Sequence, residues 1–167
     1  MPKISQKIDK LSNSIENRIS GDSFATDVIE LKIEELKALK KAWKFDWNKE
    51  FSYGNKVYKL VIRTAPEVIQ GLLSISDKGD HIFMNLIESA PHNFGKSKIY
   101  EGVAGNLVAF ACQVSYDKGY GGIVVFEAKT KLIEHYKLTL EAQMITSNRM
   151  FVDTKPALRL IDKYFNK

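Results

Sequence analysis

Apolar positions along this chain change their period several times, and each change predicts an element. Ile4, Ile8, Leu11, Ile15 and Ile19 recur at helical spacing with Lys, Gln, Asp and Glu between them. That pattern predicts an amphipathic helix stopping near Ser20-Gly21, with a stripe to bury on its own domain, a second copy or another protein. Residues 27–33 alternate as a strand does, and 34–43 return to helical spacing through Leu36, Leu39 and Trp43. The stretch 44–56 is aromatic and polar (Phe45, Trp47, Phe51, Tyr53) and shows no clear period. Three strands are then expected over 57–64, 68–77 and 81–89, the last two joined by the turn Asp77-Lys78-Gly79-Asp80.

Beyond a polar loop from Pro91 to Tyr100 the period becomes helical again, with Val103, Leu107, Phe110, Ala111 and Val114 on one side and a stop at Lys118-Gly119. Ile123, Val124, Val125 and Phe126 are apolar enough for a central strand. Thr130 is placed to cap a helix over 131–140, two short strands flank Ser147-Asn148, and Pro156 fits the first turn of a last helix. Antiparallel strands followed by a crossover helix and another strand predict a mixed sheet with helices packed on it. No repeat, low-complexity tract or second domain is visible.

A strand that feeds a glycine-containing turn opening a helix can hold a phosphate. Glycine lets backbone come close, and first-turn N–H groups lack partners inside the helix. Gly102-Val103-Ala104-Gly105-Asn106-Leu107 stands at such a place.

Composition narrows the picture only a little. The 167 residues suffice for one domain with a real core, and 44% hydrophobic with 27% charged residues suits a folded chain. The formal charge of +5 suits an anionic ligand, yet alone it selects none. The single cysteine, Cys112, excludes an internal disulfide and lies mid-helix among apolar residues, where burial is expected. No apolar run approaches the roughly 20 residues of a membrane span, and the N-terminus has no compact signal core. The cytoplasm is the expected compartment. Three scattered histidines show no metal spacing, so no metal is expected.

The order strand, loop, Gly-x-Ala, helix, strand, helix resembles the acyl-CoA-binding core of the GNAT superfamily of N-acetyltransferases, from residue 27 onward. The resemblance implies a mixed α/β fold. Its mostly antiparallel central sheet is flanked by helices and contains a splayed parallel strand pair. Here the core would span 24–167 and residues 1–20 would form an extra amphipathic helix.

The family's phosphate segment has the form Arg/Gln-x-x-Gly-x-Gly/Ala. Gly102, Val103 and Ala104 fit its second half, and Gly105 and Asn106 continue it. Its first position falls on Ile99, a departure, and Lys96 or Lys98 would supply the missing cation from an unusually long loop. The resemblance places backbone groups for the pantetheine arm at Ile87 and Ser89. It also puts Tyr136 where a tyrosine protonates the departing thiolate; the bland reading of Tyr136 is a core aromatic.

Acetyl transfer to an amine also needs the amine to lose a proton. Glu88, on the strand lining the cleft, is the candidate base, directly or through water; a surface-facing carboxylate or a structural ion pair is its bland alternative. His92 is a second candidate, and His81 and His135 are poorer ones.

Three functions follow as expectations. One is an N-acetyltransferase moving acetyl from acetyl-CoA, as co-substrate, directly to an amine whose identity the sequence does not give. Another is a catalytically silent CoA-binding or protein-interaction module of the same fold, with homodimerisation a use for the N-terminal stripe. Nucleic-acid binding rests on net charge alone and lacks interleaved basic and aromatic residues.

Overall fold

The computed structural model describes residues 14–17, 23–37, 39, 43–91, 100–101, 103–128 and 130–165. Its strands are β1 (Ser14–Asn17), β2 (Ser23–Glu30), β3 (Lys56–Ile62), β4 (Ala65–Asp77), β5 (Ile82–Ser89), β6 (Tyr100–Glu101), β7 (Val124–Glu127), β8 (Gln143–Met144) and β9 (Arg149–Val152). They form one nine-stranded sheet in the order β6-β1-β2-β3-β4-β5-β7-β9-β8. Every neighbouring pair is antiparallel except β5 and β7, which run parallel. The helices are α1 (Ile33–Leu36), α2 (Trp47–Ser52), α3 (Val103–Asp117), α4 (Ile133–Thr139) and α5 (Thr154–Phe165).

The sheet separates two cores. On one face α3 and α5 cover Leu60, Leu73, Ile82, Met84, Val124 and Phe126, with Leu107, Ala111, Ile161 and Tyr164 from the helices. On the other face a smaller cluster gathers Leu31, Leu36, Trp47, Val57 and Leu72. Alternation along β5 serves both: Leu86 packs on the second cluster and Ile87 on the first.

The expected mixed sheet, crossover helix and last helix are present. Three expectations need correction. The predicted N-terminal helix gives way at Ser14–Asn17 to a strand, with Ile15 opposite Phe24. Pairing of β2 with β3 begins at Thr26, so residues 23–25 would otherwise form an open edge, and β1 covers it. Ile4, Ile8, Leu11 and Ile19 lie outside the described residues.

The helix expected over 34–43 is only α1 as far as it is described: Lys37 caps its end, and the N–H groups of Lys44 and Phe45 turn to a side chain of β5. Thr130 does not cap a helix; it opens a 3₁₀ turn, Thr130–Leu132, that leads into α4.

One glycine sets the distance between α3 and the sheet. A Cβ on Gly71 of β4 would lie 2.6 Å from Val103 Cγ1, 3.0 Å from Leu107 Cδ1 and 3.3 Å from the Glu88 carbonyl oxygen. The first turn of α3 therefore rests on bare backbone beside the end of β5. Gly71→Ala should overpack this contact and lower stability by about 1–3 kcal/mol. Urea unfolding followed by circular dichroism checks it; an unchanged midpoint would mean that α3 is free to lift.

Candidate functional site

The site begins where the parallel pair ends. Ile82, Phe83 and Met84 of β5 lie opposite Val124, Val125 and Phe126 of β7, and the pairing stops there. From Leu86 to Ser89 β5 continues with β4 as its only described partner. The cause lies in the register. Ser74 pairs with Leu86 and Ile75 with Met84, which leaves Asn85 as an extra residue, a bulge that bends β5 away from β7. The result is a wedge in mid-sheet, with one edge of the Leu86–Ser89 backbone open toward it.

The first turn of α3 stands behind this wedge, held there by Gly71. Val103 and Asn106 are turned inward, Asn106 fully buried with its Oδ1 3.5 Å from the Thr26 hydroxyl of β2. Gly105 is bare because Tyr164 of α5 packs on it: a Cβ there would sit 2.8 Å from the ring's Cζ and against its hydroxyl oxygen. Ala104 is exposed. What this segment can offer a ligand is therefore main-chain N–H at the start of a helix, where the first-turn donors have no partner within the helix itself. Gly102, Lys96 and Lys98 lie outside the described residues, as does His92.

Tyr136 of α4 sits at the other side of the wedge. Its ring meets Phe126, the last residue of the parallel pair, edge-on with centroids 5.3 Å apart. Among the described residues its hydroxyl has no hydrogen-bond partner. Burial pushes the phenol pKa above its ordinary value, which keeps the proton on the oxygen at neutral pH. His135 is exposed beside it, and His81 lies in the β4–β5 turn with Nδ1 2.7 Å from Asp80 Oδ1.

Glu88 is 3% exposed. Its Oε1 accepts N–H bonds from Trp47 Nε1 (2.8 Å) and the Phe45 amide (3.2 Å), and its Oε2 accepts one from the Lys44 amide (2.5 Å). Oε1 thus accepts two N–H bonds and Oε2 one in an almost wholly buried side chain, and this geometry supports an anchoring role over proton abstraction. Ile87 and Ser89 flank it along the open edge of β5.

A second buried carboxylate escaped the sequence reading. Glu50 of α2 accepts a 2.6 Å bond from the Ser74 hydroxyl and a 3.1 Å bond from the Asn55 amide. Asn85, the bulged residue, donates to Ser74 (3.3 Å) and Ser76 (2.8 Å), and Ser76 donates back to Asn55 at 2.9 Å. Every donor and acceptor direction around this ring is consistent. The signal was present as polar residues inside apolar runs, Asn85 in Phe-Met-Asn-Leu-Ile and Ser74 in Leu-Leu-Ser-Ile. Asn85 also lines a groove of about 400 Å³ with Lys78, His81, Phe83, Glu127 and Arg149. In that groove the Arg149 guanidinium lies 5.3 Å from the Phe83 ring centroid and bonds Glu127 at 3.3 Å.

A mixed sheet split at one parallel pair, with a helix N-terminus behind the split, is a GNAT-like fold. Among solved structures the chain is similar to AtaTR bound with acetyl-CoA, with a TM-score of 0.54 and 15% identity over 81% of this chain and 97% of that one. A mutant of the AtaT toxin gives a TM-score of 0.57 at 14% identity over 81% and 93%. Nourseothricin acetyltransferase gives 0.50 at 12% over 77% and 98%. No family model matches the chain, and no curated protein does. Among the described residues no helix is long and apolar enough to cross a membrane.

Cys112 of α3 takes no part in this site. It is fully buried, and burial pushes its thiol pKa up to about 12. The native protein should resist alkylation at neutral pH and become reactive only on unfolding, with kinetics that follow the loss of structure. Mass spectrometry after iodoacetamide, with and without urea, checks this; rapid labelling of the folded chain would contradict the placement.

Proposed function

We propose that this protein is an N-acetyltransferase that moves the acetyl group of acetyl-CoA directly to an amine. One observation carries the reading: the wedge between β5 and β7, where β4 is the only described partner of Leu86–Ser89, backed by the first turn of α3. Acetyl-CoA as co-substrate is further supported by a solved structure of the same fold that holds it.

On this reading the pyrophosphate lies at the first turn of α3, where the helix dipole favours negative charge. Lys96 and Lys98 would add cations from the preceding loop. The pantetheine amides pair with the open backbone of Ile87 and Ser89 as an added strand would. This brings the thioester to the head of the wedge, near Tyr136. The amine arrives from the opposite face, by way of the groove that Asn85 borders, and attacks the acetyl carbon. As the C–N bond forms and the C–S bond breaks, the Tyr136 hydroxyl gives its proton to the departing sulfur. Because the Glu88 carboxylate is buried and already holds three N–H donors, the amine, which enters unprotonated, sheds its second proton to water, and the Tyr136 phenolate regains a proton from water. The sequence-based assignment of Glu88 as the base is thereby replaced in this proposal.

Two outcomes test the reading. Ala104→Asp should leave folding intact or slightly strengthen it, since an acid in a first helical turn contributes about 0.3–1 kcal/mol. The same charge should weaken acetyl-CoA binding by at least about tenfold through repulsion of the phosphates. Calorimetric titration alongside thermal unfolding reads both, and equal affinity in a folded variant would remove α3 as the phosphate site.

Tyr136→Phe should keep acetyl-CoA affinity and lower kcat by about 10²–10⁴-fold, the usual worth of a general acid. Free-thiol release with a panel of small amines, peptide N-termini, lysines, aminated drugs and tRNA-linked amines supplies the assay. Wild-type turnover by the variant would return Tyr136 to the core.

A further inference from the structure

We propose that Glu88 is a positioning residue that fixes the segment 44–47 as a rigid acceptor-side wall over the wedge, with Glu50 as the second fastening of the same wall. The assignment of this wall to the acceptor rests on the acetyltransferase reading; the fastening itself does not.

The two carboxylates grip one stretch of chain from both ends. Glu88 projects from β5 and takes the amides of Lys44 and Phe45 and the indole N–H of Trp47. Glu50 projects from α2, one turn after Trp47, and reaches β5 through Ser74 and Asn85. The attachments on β5 are thus Asn85 and Glu88, at the start of the unpaired stretch and near its end. They lie on the face opposite α3, since Leu86 between them packs with Trp47 while Ile87 packs with the other core. Whatever occupies the wedge between Asn85 and Ser89 therefore meets a wall tied to the very strand that opens.

Three N–H donors converging on one buried carboxylate specify a position far more narrowly than apolar packing does, because each donor is left unsatisfied by a shift of an ångström. A wall held this way selects its amine by fit rather than by closing on it. Glu88 acts on the reaction through Lys44, Phe45 and Trp47, with no proton transferred.

The test pairs amide hydrogen exchange with kinetics on the full-length protein. In Glu88→Ala the amides of Lys44 and Phe45 should exchange at least about tenfold faster, as expected for loss of one buried acceptor. Glu88→Gln, which keeps one acceptor oxygen, should recover part of that protection. Acetyl-CoA affinity should stay within about twofold in both, because the Glu88 side chain faces away from α3 and a wall defect leaves the cofactor side intact. With an acceptor from the amine panel, KM for the amine should rise by about tenfold or more, and the acid limb of the kcat/KM profile should persist.

Trp47→Phe, which removes the indole donor and part of the buried ring but keeps Glu88, covers the case in which the Glu88 variants do not fold; it should loosen Lys44 and Phe45 by a smaller factor. Unchanged protection of these amides in folded Glu88→Ala, or in Trp47→Phe where Glu88→Ala does not fold, would overturn the proposal. So would loss of the acid limb in Glu88→Gln with protection intact, since that is the behaviour of a base. Failure of the wild type to bind acetyl-CoA would instead sink the acetyltransferase reading, and the exchange result would still decide the anchor.

Discussion

A strand in the middle of a sheet cannot leave its backbone unpaired without consequence. Each buried N–H or C=O without a partner costs about 1–3 kcal/mol, and β5 opens one edge over the residues from Leu86 to Ser89. The rest of the molecule is arranged around that opening. The bulge at Asn85 starts it, β4 continues to pair the far edge, and α3 seals the back only because Gly71 has no side chain. Such an edge is stable when it faces water or a ligand with amides of its own, and the proposed cofactor site makes use of that.

Buried carboxylates on the other side of the same strand follow from this. Once β5 leaves β7, packing on that side cannot come from another strand, and the chain from 43 to 55 takes its place. Trp47, Phe45 and Phe51 supply apolar area, but apolar contacts are non-directional and would let the segment slide along the strand. Glu88 and Glu50 remove that freedom. Removing one partner from such a group costs far more than the net worth of the bond, because the remaining donors stay buried and unmatched. The arrangement therefore resists partial loosening, which suits a wall more than a lid.

Much of the sheet was legible because its strands follow simple rules. The alternation in 57–64 and 68–77, the Gly79 turn and the apolar run 123–126 all fell within a few residues of β3, β4 and β7. Helices α3 and α5 were equally plain, with long periodic stripes and, for α5, Pro156 in the first turn. Failures came where tertiary pairing overrode local pattern. Ile15 belongs to a helical stripe by spacing, yet the open start of β2 recruits it as a strand. The helix expected to run to Trp43 ends at Leu36 as far as it is described, and the amides of Lys44 and Phe45 go to Glu88, 44 and 43 positions further along the chain. Glu88 itself lies on the strand expected over 81–89, but no sequence pattern shows which donors converge on a carboxylate.

The glycine segment shows the same division between what a sequence spells and what a site uses. Of its residues, Val103 fits against the sheet at Gly71, Asn106 is buried beside Thr26, and Gly105 makes room for Tyr164. These side-chain identities hold α3 at its angle and distance; none of them needs to touch a phosphate. The groups free to do so are main-chain N–H, which every residue but proline supplies. A motif written in side chains is then a record of how the helix is seated, and its ligand-binding part is invisible in the letters. The glycines at 71 and 105, by contrast, have no substitute that leaves α3 where it is.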